Sequence, residues 1–370
     1  MEKFVYSSLF GELVRRTQVR FDKASKLKKE LFDKVIFEQY LDWDTPSVSL
    51  NFEELMGQYN ITIAAPTIGD NSNEPVLGTE GLATFANKVF LHALTRTLTV
   101  QEYRKVLAIL DSKSISDEAA KRELINIMWG TVEDVVNAVR AKIDMIFLGA
   151  LSNEGKFTFD DDTNPEGGVR CTINFNQPAE NIAKAKIQWI EANLDTVDCL
   201  EDIQEMVDAA EDKVKISKIL FAPSKVSYML RTKKLKQAVF GSDKSASPLT
   251  LAALNAFLES NEIPTLEKIR RTIRVKNGQK VNTITPFNAK NGVFIPSGKL
   301  GVIKNAYADN ELKQESGVAY SNYGRIRVSQ WGVGEKENSR QTEFTKAQSL
   351  SVPVITEIGG VFTLKTEYTD

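Results

Sequence analysis

The stretch DEAAKRELINIMWGTVEDVVNAVRAKIDMIFLGAL, residues 117–151, is the longest uninterrupted pattern in the chain. It contains no proline, and apolar residues recur every three or four positions, as in a helix with one buried face. That stripe consists of Leu124, Met128, Val132, Val135, Val139, Ile143 and Ile146. Ser116 can cap the helix, and Asp117 and Glu118 follow where the helix dipole favours acids. The pattern predicts one continuous helix about 50 Å long, well beyond the usual three or four turns.

Before this helix, residues 57–98 have the pattern of a two-stranded ribbon. Tyr59, Ile61 and Ile63 alternate with polar or small residues, and alternation resumes at Val89, Leu91 and Ala93. Between them lies a turn-rich tip with Pro66, Gly69, Asp70, Asn71, Ser72, Asn73 and Pro75. Because an isolated ribbon is marginally stable in water, we expect this one to lie on a neighbour, which could be another subunit.

The amino-terminal residues 1–56 are dominated by an amphipathic helical pattern. Between Arg15 and Lys29 there are seven basic residues and one acid, Asp22. One interpretation is the solvated face of a surface helix, and the other is a basic arm that faces a polyanion.

After the long helix, Phe157 and Phe159 lead into a turn, and Cys171 and Ile173 return from it, which predicts a hairpin. Three aspartates, residues 160–162, occupy the turn. They lack the glycine and glutamate spacing of a calcium loop, so we interpret the turn as solvated.

Residues 180–324 alternate between helical and strand patterns, which is typical of an α/β lobe. The predicted helices are 179–193 with Trp189, 200–212 and 228–240, and the predicted strands are 219–222, 293–295 and 301–303. From Gly324 to Tyr368 the chain is rich in strand formers, with Ile326 and Val328 alternating against Arg325 and Arg327. Residues 352–364 predict a closing hairpin.

The composition argues against most enzyme classes and metal sites. Lys plus Arg total 47 and Asp plus Glu 49, a formal charge of −2, so any contact with nucleic acid must be local or non-specific. The single histidine, His92, lies in a strand pattern and is interpreted as structural. Cys171 and Cys199 are too far apart for a metal-binding pair and are expected to be reduced, small buried groups.

Sequence motifs for catalysis are also missing. The chain has no phosphate-binding loop, dinucleotide fingerprint, zinc-protease motif or nucleophile elbow. We therefore predict no catalytic residue, no cofactor and no metal. There is no secretory signal and no apolar run long enough to span a membrane, so synthesis in the cytosol is expected.

The order of these parts resembles the major capsid proteins of tailed bacteriophages, which share the Hong Kong 97 coat fold. Within that fold the chain is most similar to the lambda-type family called major capsid protein E. The resembling stretches are ITIAAPTIG (61–69), TRTLTVQEY (95–103), FLGALSNEG (147–155), FIPSGKLG (294–301) and SLSVPVI (349–355). No lysine and asparagine pair matches the cross-linking residues of the type member, so covalent cross-linking is not expected.

The resemblance implies an α+β Hong Kong 97-like capsid fold in four parts. These are an N-terminal arm (1–56), an extended loop (57–100), a peripheral domain with the spine helix (101–180 and 325–370) and an α/β axial domain (181–324). Copies would assemble as hexamers and pentamers into the icosahedral head of a tailed double-stranded DNA phage or prophage, in the host cytoplasm.

The resemblance also implies two contact regions. The extended loop would contact a neighbouring subunit through Ile61, Ile63, Pro66, Ile68, Gly69, Asp70, Pro75 and Leu77. The arm would face the lumen with Arg15, Arg16, Arg20 and Lys23. Expected partners are a separate scaffolding protein, a portal, a decoration protein and packaged DNA without sequence preference, but no membrane. Two alternatives stay open, an encapsulin-type compartment shell and an α/β enzyme without a recognised motif.

Overall fold

The computed structural model describes residues 34–55, 84–99, 117–166, 168–241, 247–333 and 342–369. In these ranges the helices are α1 (Phe37–Tyr40), α2 (Asp117–Ser152), α3 (Cys199–Glu211), α4 (Pro223–Met229), α5 (Lys233–Phe240), α6 (Leu251–Ser260) and α7 (Asp309–Leu312). The strands are β1 (Leu41–Trp43), β2 (Asn51–Leu55), β3 (Thr84–Lys88), β4 (Phe90–Thr99), β5 (Lys156–Phe159), β6 (Cys171–Asn174), β7 (Ile182–Lys184), β8 (Ile216–Phe221), β9 (Thr265–Lys268), β10 (Ile273–Asn277), β11 (Lys280–Ile284), β12 (Asn291–Pro296), β13 (Gly301–Ala306), β14 (Ala319–Tyr323), β15 (Ile326–Val333), β16 (Thr342–Val354) and β17 (Phe362–Lys365).

The predicted long helix is confirmed as α2, which runs without a break for 36 residues. The stripe is buried where side chains are described, at Val132, Val135, Val139, Ile143 and Ile146. The side chains of Leu124 and Met128 lie outside the described part. The helix therefore forms one wall of the larger core, as its apolar period indicates.

The predicted hairpin after the helix is also confirmed. Strands β5 and β6 pair antiparallel and place Phe157 opposite Ile173. A Cβ atom at Gly149 would lie 2.5 Å from the Phe157 ring, so only glycine lets the hairpin approach α2 this closely. The Lys142 ammonium on α2 donates to the carbonyl of Thr163 at 2.8 Å, which ties the turn to the helix.

A six-stranded sheet packs against α2, and its central strand is β16. Residues 342–351 of β16 pair with β4, while residues 342–348 pair with β15 and residues 350–354 with β13. Because β4 shares residues with both other partners, it must lie on the opposite side of β16. Strand β14 extends the sheet beyond β15, and β1 extends it beyond β13 in parallel.

The second lobe is a five-stranded sheet in the order β7, β17, β12, β8, β9, packed with helices α3 to α6 around its own core. The predicted helix at 200–212 and strand at 219–222 are confirmed as α3 and β8. The strand predictions at 293–295 and 301–303 correspond to β12 and β13. Side chains such as Trp189 and Phe221, with ring centroids 5.5 Å apart, fill this core.

The predicted helix at 179–193 is wrong. The segment instead contains a 3-10 turn at 179–181, strand β7 and a second 3-10 turn at 191–193. Its backbone bonds to distant residues, because the amides of Ala185 and Trp189 donate to the carbonyls of Lys365 and Thr366. These pairings with the end of the chain satisfy groups that a helix would have paired internally.

Three smaller expectations also need correction. The predicted helix at 228–240 is two helices, α4 and α5, because the Thr232 hydroxyl bonds to the Met229 carbonyl at 2.7 Å and the chain turns there. The predicted closing hairpin is wrong, since β17 pairs with β12 and β7 rather than with β16. Cys199 is buried as expected, but Cys171 is exposed because it begins β6 beside the solvated turn.

One buried carboxylate connects three parts of the chain. Asp144 of α2 is fully buried and accepts the backbone amides of Ile36 and Phe37 at 2.9 and 2.8 Å. It also forms an ion pair with Arg271 at 2.7 Å. Burial raises the pKa of Asp144, whereas the two amides and Arg271 favour its ionised form. The segment that precedes β1, the long helix and the 269–273 region thus meet at one charge.

We expect Asp144→Ala to lower the free energy of unfolding by about 3–5 kcal/mol, because it leaves Arg271 without its counterion and two amides without an acceptor. Urea unfolding of the purified subunit measures this. The matched control is Asp134→Ala on the same helix, whose ion pair with Arg96 is exposed and worth at most about 1 kcal/mol. Equal losses in the two variants would contradict the role given to Asp144.

Candidate assembly surface

The residues predicted to contact other molecules lie outside the described residues. This holds for the loop residues Ile61, Ile63, Pro66, Ile68, Gly69, Asp70, Pro75 and Leu77 and for the arm residues Arg15, Arg16, Arg20 and Lys23. The described part does include the base of the predicted ribbon, where β2 and β3 pair antiparallel from Asn51 opposite Lys88 to Leu55 opposite Thr84. The Val89 amide donates to the Leu50 carbonyl at 2.9 Å and closes this base against the sheet.

Beside the ribbon base, the six-stranded sheet carries an open groove of about 530 Å³. Because alternate residues of a strand share a face, Lys346, Gln348 and Leu350 of β16 all line it, while the intervening Ala347 is fully buried. Its apolar lining comes from Leu50, Leu91, Val318, Tyr320, Trp331 and Leu350. Its charged lining comes from Asp309, Lys313, Glu315 and Lys346.

Several apolar side chains at this end of the sheet are left uncovered. Leu91 is 56% exposed and Leu50 39%, although both belong to strands or turns that enter the core on either side. Val48, at 72%, and Leu312 of α7, at 60%, add to them. Exposed apolar side chains that cluster around a groove are typical of a contact surface. Sequence reasoning missed this surface, because residues from positions 50 to 350 are brought together only by strand pairing.

Arg327 of β15 lies next to the groove and is unusually poor in partners. Only 8% of it is exposed, and its guanidinium donates to the Asn322 side chain at 2.8 Å. The guanidinium carbon lies 4.7 Å from the centroid of the Tyr320 ring, which itself lines the groove. No carboxylate of the described residues forms an ion pair with Arg327. Its positive charge therefore has no neutralising partner in the described part of the chain.

His92 lies in the same sheet, on β4, and has the surroundings of a structural residue. It is buried, and its Nε2 lies 3.1 Å from the Ser351 carbonyl of the neighbouring strand. Burial, with a smaller effect of Lys142, lowers the pKa of His92 to about 4, so the ring is neutral at physiological pH. The geometry supports the interpretation made from the sequence.

The described residues contain no group of three or more His, Cys, Asp or Glu side chains placed to hold a metal ion. The Asp160 carboxylate, from the turn with three aspartates, accepts the amides of Asp162 and Thr163 at 3.0 and 2.8 Å, as in a capped turn. None of the helices in the described ranges is both long and apolar enough to cross a membrane.

Comparison with solved structures places this arrangement of strands and helices among capsid proteins. A crystal structure assigned as the capsid protein of an E. coli CFT073 prophage superposes with a TM-score of 0.54 at 14% identity. The alignment covers 90% of this chain and 93% of that one. The chain has the α+β capsid fold. This confirms the Hong Kong 97-like fold that the order of sequence elements predicted.

Two assembled particles are similar over comparable lengths. The capsid of Myoviridae phage XM1 gives a TM-score of 0.46 at 11% identity over 90% of this chain and 94% of that one. A virus-like particle from Pyrococcus furiosus gives 0.40 at 8% identity over 96% and 99%. No family profile matches the sequence, and no curated protein matches it.

The neutral state of His92 predicts a pH dependence of stability. Its folded pKa lies below the ordinary value of 6.5, so the unfolded chain binds a proton that the folded chain does not. The contribution is therefore complete above pH 6.5 and is lost as pH falls towards 4, by up to about 3 kcal/mol. Because the chain has one histidine, the difference between the pH profiles of wild type and His92→Gln isolates it. Parallel profiles would contradict the burial of a neutral ring.

Proposed function

We propose that this chain is the major capsid protein of a tailed double-stranded DNA phage or prophage. Copies assemble as hexamers and pentamers into the icosahedral head that encloses the genome, so the protein is located in the virion capsid after assembly in the host cytoplasm. The observation that supports this best is the fold shared with the prophage protein over 90% of this chain and 93% of that one.

The structure suits repeated assembly in two physical respects. The β2–β3 ribbon leaves the sheet as a two-stranded extension, which gains stability when it packs on another copy. A formal charge of −2 in 370 residues also lets many copies lie side by side without strong mutual repulsion. Contacts of one surface with a different surface of the next copy close into rings when the rotation fits.

The proposal gives the extended loop an intersubunit role. Its contacts would come from Ile61, Ile63, Pro66, Ile68, Gly69, Asp70, Pro75 and Leu77. The arm residues Arg15, Arg16, Arg20 and Lys23 would face the lumen, where an acidic scaffolding protein precedes the genome. A portal and a decoration protein complete the proposed partners, and DNA contacts would be non-specific.

The first test is electron microscopy of the purified chain with negative stain. Closed shells, rings or tubes are the expected result, and discrete 41.3 kDa monomers with turnover of a substrate would instead favour an enzyme. Shells that capture a co-expressed host enzyme rather than DNA would favour the encapsulin alternative. A co-expressed scaffolding protein belongs in the experiment, because it is a proposed partner.

Deletion of residues Gly69–Leu77 tests the loop. We expect a folded subunit that no longer forms shells, because the deletion removes the tip of the proposed contact and no described core residue. Circular dichroism and thermal melting check the fold, and light scattering follows assembly. Shells of normal size and yield from the deletion variant would refute an intersubunit role.

Glutamine at Arg15, Arg16, Arg20 and Lys23 tests the arm. We expect the melting temperature to be unchanged but the yield of correctly sized, DNA-filled particles to fall, with a weaker dependence on salt, since counterion release scales with the number of basic contacts. The matched control replaces four exposed lysines of the second lobe and the β10–β11 hairpin with glutamine, Lys233, Lys276, Lys280 and Lys290. Equal packaging by both variants across a salt series would leave the arm as a solvated helix face.

A further inference from the structure

The groove beside the ribbon base combines an uncovered apolar lining with an excess of positive charge. Lys313 and Lys346 form no ion pair with any described residue, and Arg327 lies behind Tyr320 with its charge unneutralised. Asp309 and Glu315 supply two negative charges against these three positive ones. A surface of this kind fits a segment that is both apolar and acidic.

The amino-acid sequence contains such a segment in residues 56–83. It has three acidic residues, Asp70, Glu74 and Glu80, and no lysine or arginine. Its apolar residues include Ile61, Ile63, Ile68, Val76, Leu77 and Leu82. In a chain with 47 basic residues among 370, a stretch of this length without one is complementary to the groove in charge as well as in polarity.

The position of the ribbon favours a contact between two copies. Both ends of residues 56–83 join the ribbon at Leu55 and Thr84, the last pair of β2 and β3. At about 3.3 Å per residue, that pair lies about 13 Å along the ribbon from the Asn51–Lys88 pair at its base. The groove lies at the base, next to Leu50. The segment therefore starts at a distance from its own groove.

We propose that the groove between Leu50, Leu91, Trp331 and Leu350 receives residues 56–83 of a second copy, with the acids of that segment next to Lys313, Lys346 and Arg327. This deepens the proposed function and rests on it, since it assigns the surface that receives the extended loop. The contact is heterologous: each copy offers a segment to one neighbour and a groove to another, as a ring requires.

Cysteine cross-linking between differently tagged chains tests this directly. Cys171 is exposed and is first replaced by serine, whereas the buried Cys199 can stay. One chain then carries Lys346→Cys and the other Asp70→Cys, and the two are assembled together and oxidised. A disulfide between the two tags is expected. A matched control carries Lys276→Cys in the β10–β11 hairpin in place of the groove cysteine, and we expect no disulfide from it.

Charge reversal provides an independent measurement. Lys313→Glu with Lys346→Glu should reduce shell yield several-fold while leaving the melting temperature of the subunit unchanged, because both side chains lack a described ion pair. Adding Asp70→Lys and Glu74→Lys to the same chain should restore the yield. The Asp70 and Glu74 reversals alone should reduce it as the groove reversals do.

The outcomes separate this inference from the proposed function. Shells that form without the disulfide between tags, or that tolerate the groove reversals, would overturn the inference and leave the capsid function intact. A disulfide found only within single chains carrying both cysteines would show that the segment occupies its own groove, and would overturn the role of the second copy. Failure of the unmodified chain to form any shell under scaffolded conditions would instead contradict the proposed function.

Discussion

The ionic contact of Asp144 with Arg271 and with two backbone amides is the constraint on which the tertiary arrangement depends. A carboxylate without exposure to solvent is costly unless its charge is balanced and its oxygens accept hydrogen bonds. Here the donors come from residues 36–37 and from residue 271, which are distant in sequence. The charge is satisfied only when the segment before β1, the long helix and the 269–273 region are all in place. Burial of the α2 stripe supplies the larger free energy, while Asp144 selects one arrangement.

The second organising feature is strand β16, which joins the sheet from late in the chain. Its pairing with β4 spans from Thr342 opposite Thr99 to Ser351 opposite Phe90. This pairing fixes the direction in which β3 and β2 leave the sheet, and so sets the position of the ribbon base. It also brings Leu91 next to Leu350 and thereby creates one side of the groove. The surface assigned to assembly is a consequence of the same hydrogen-bond ladder that closes the core.

The polar residues of this sheet have different physical roles. His92 and Ser351 face each other inside the structure, where neutrality and a hydrogen bond remove the cost of burial. Arg327 keeps a charge that the described residues do not neutralise, and Lys346 and Lys313 are free of described ion pairs. A subunit that functions alone would gain little from such an arrangement. In a proposed shell, the balance of charge is completed between copies, and assembly then becomes selective for the correct neighbour.

The amino-acid sequence by itself determined the elements whose signals are local. The α2 stripe, the hairpin from Phe157 to Ile173, helix α3 and the buried strand β8 follow from apolar period, caps and turn residues within one segment. The order of these elements was sufficient to predict the capsid fold. It was also sufficient to place a ribbon before the helix, whose base the structure shows.

Only the tertiary structure decided the rest, because the deciding partners are far apart in the chain. Residues 179–193 pair with the end of the chain instead of forming a helix, and β17 joins β12 and β7 instead of folding back on β16. The same holds for Asp144, whose partners lie more than a hundred residues away, and for the groove, which draws on five separate segments. Long-range hydrogen bonds and charge pairs can override local propensity, since a buried polar group must find a partner wherever the fold supplies one.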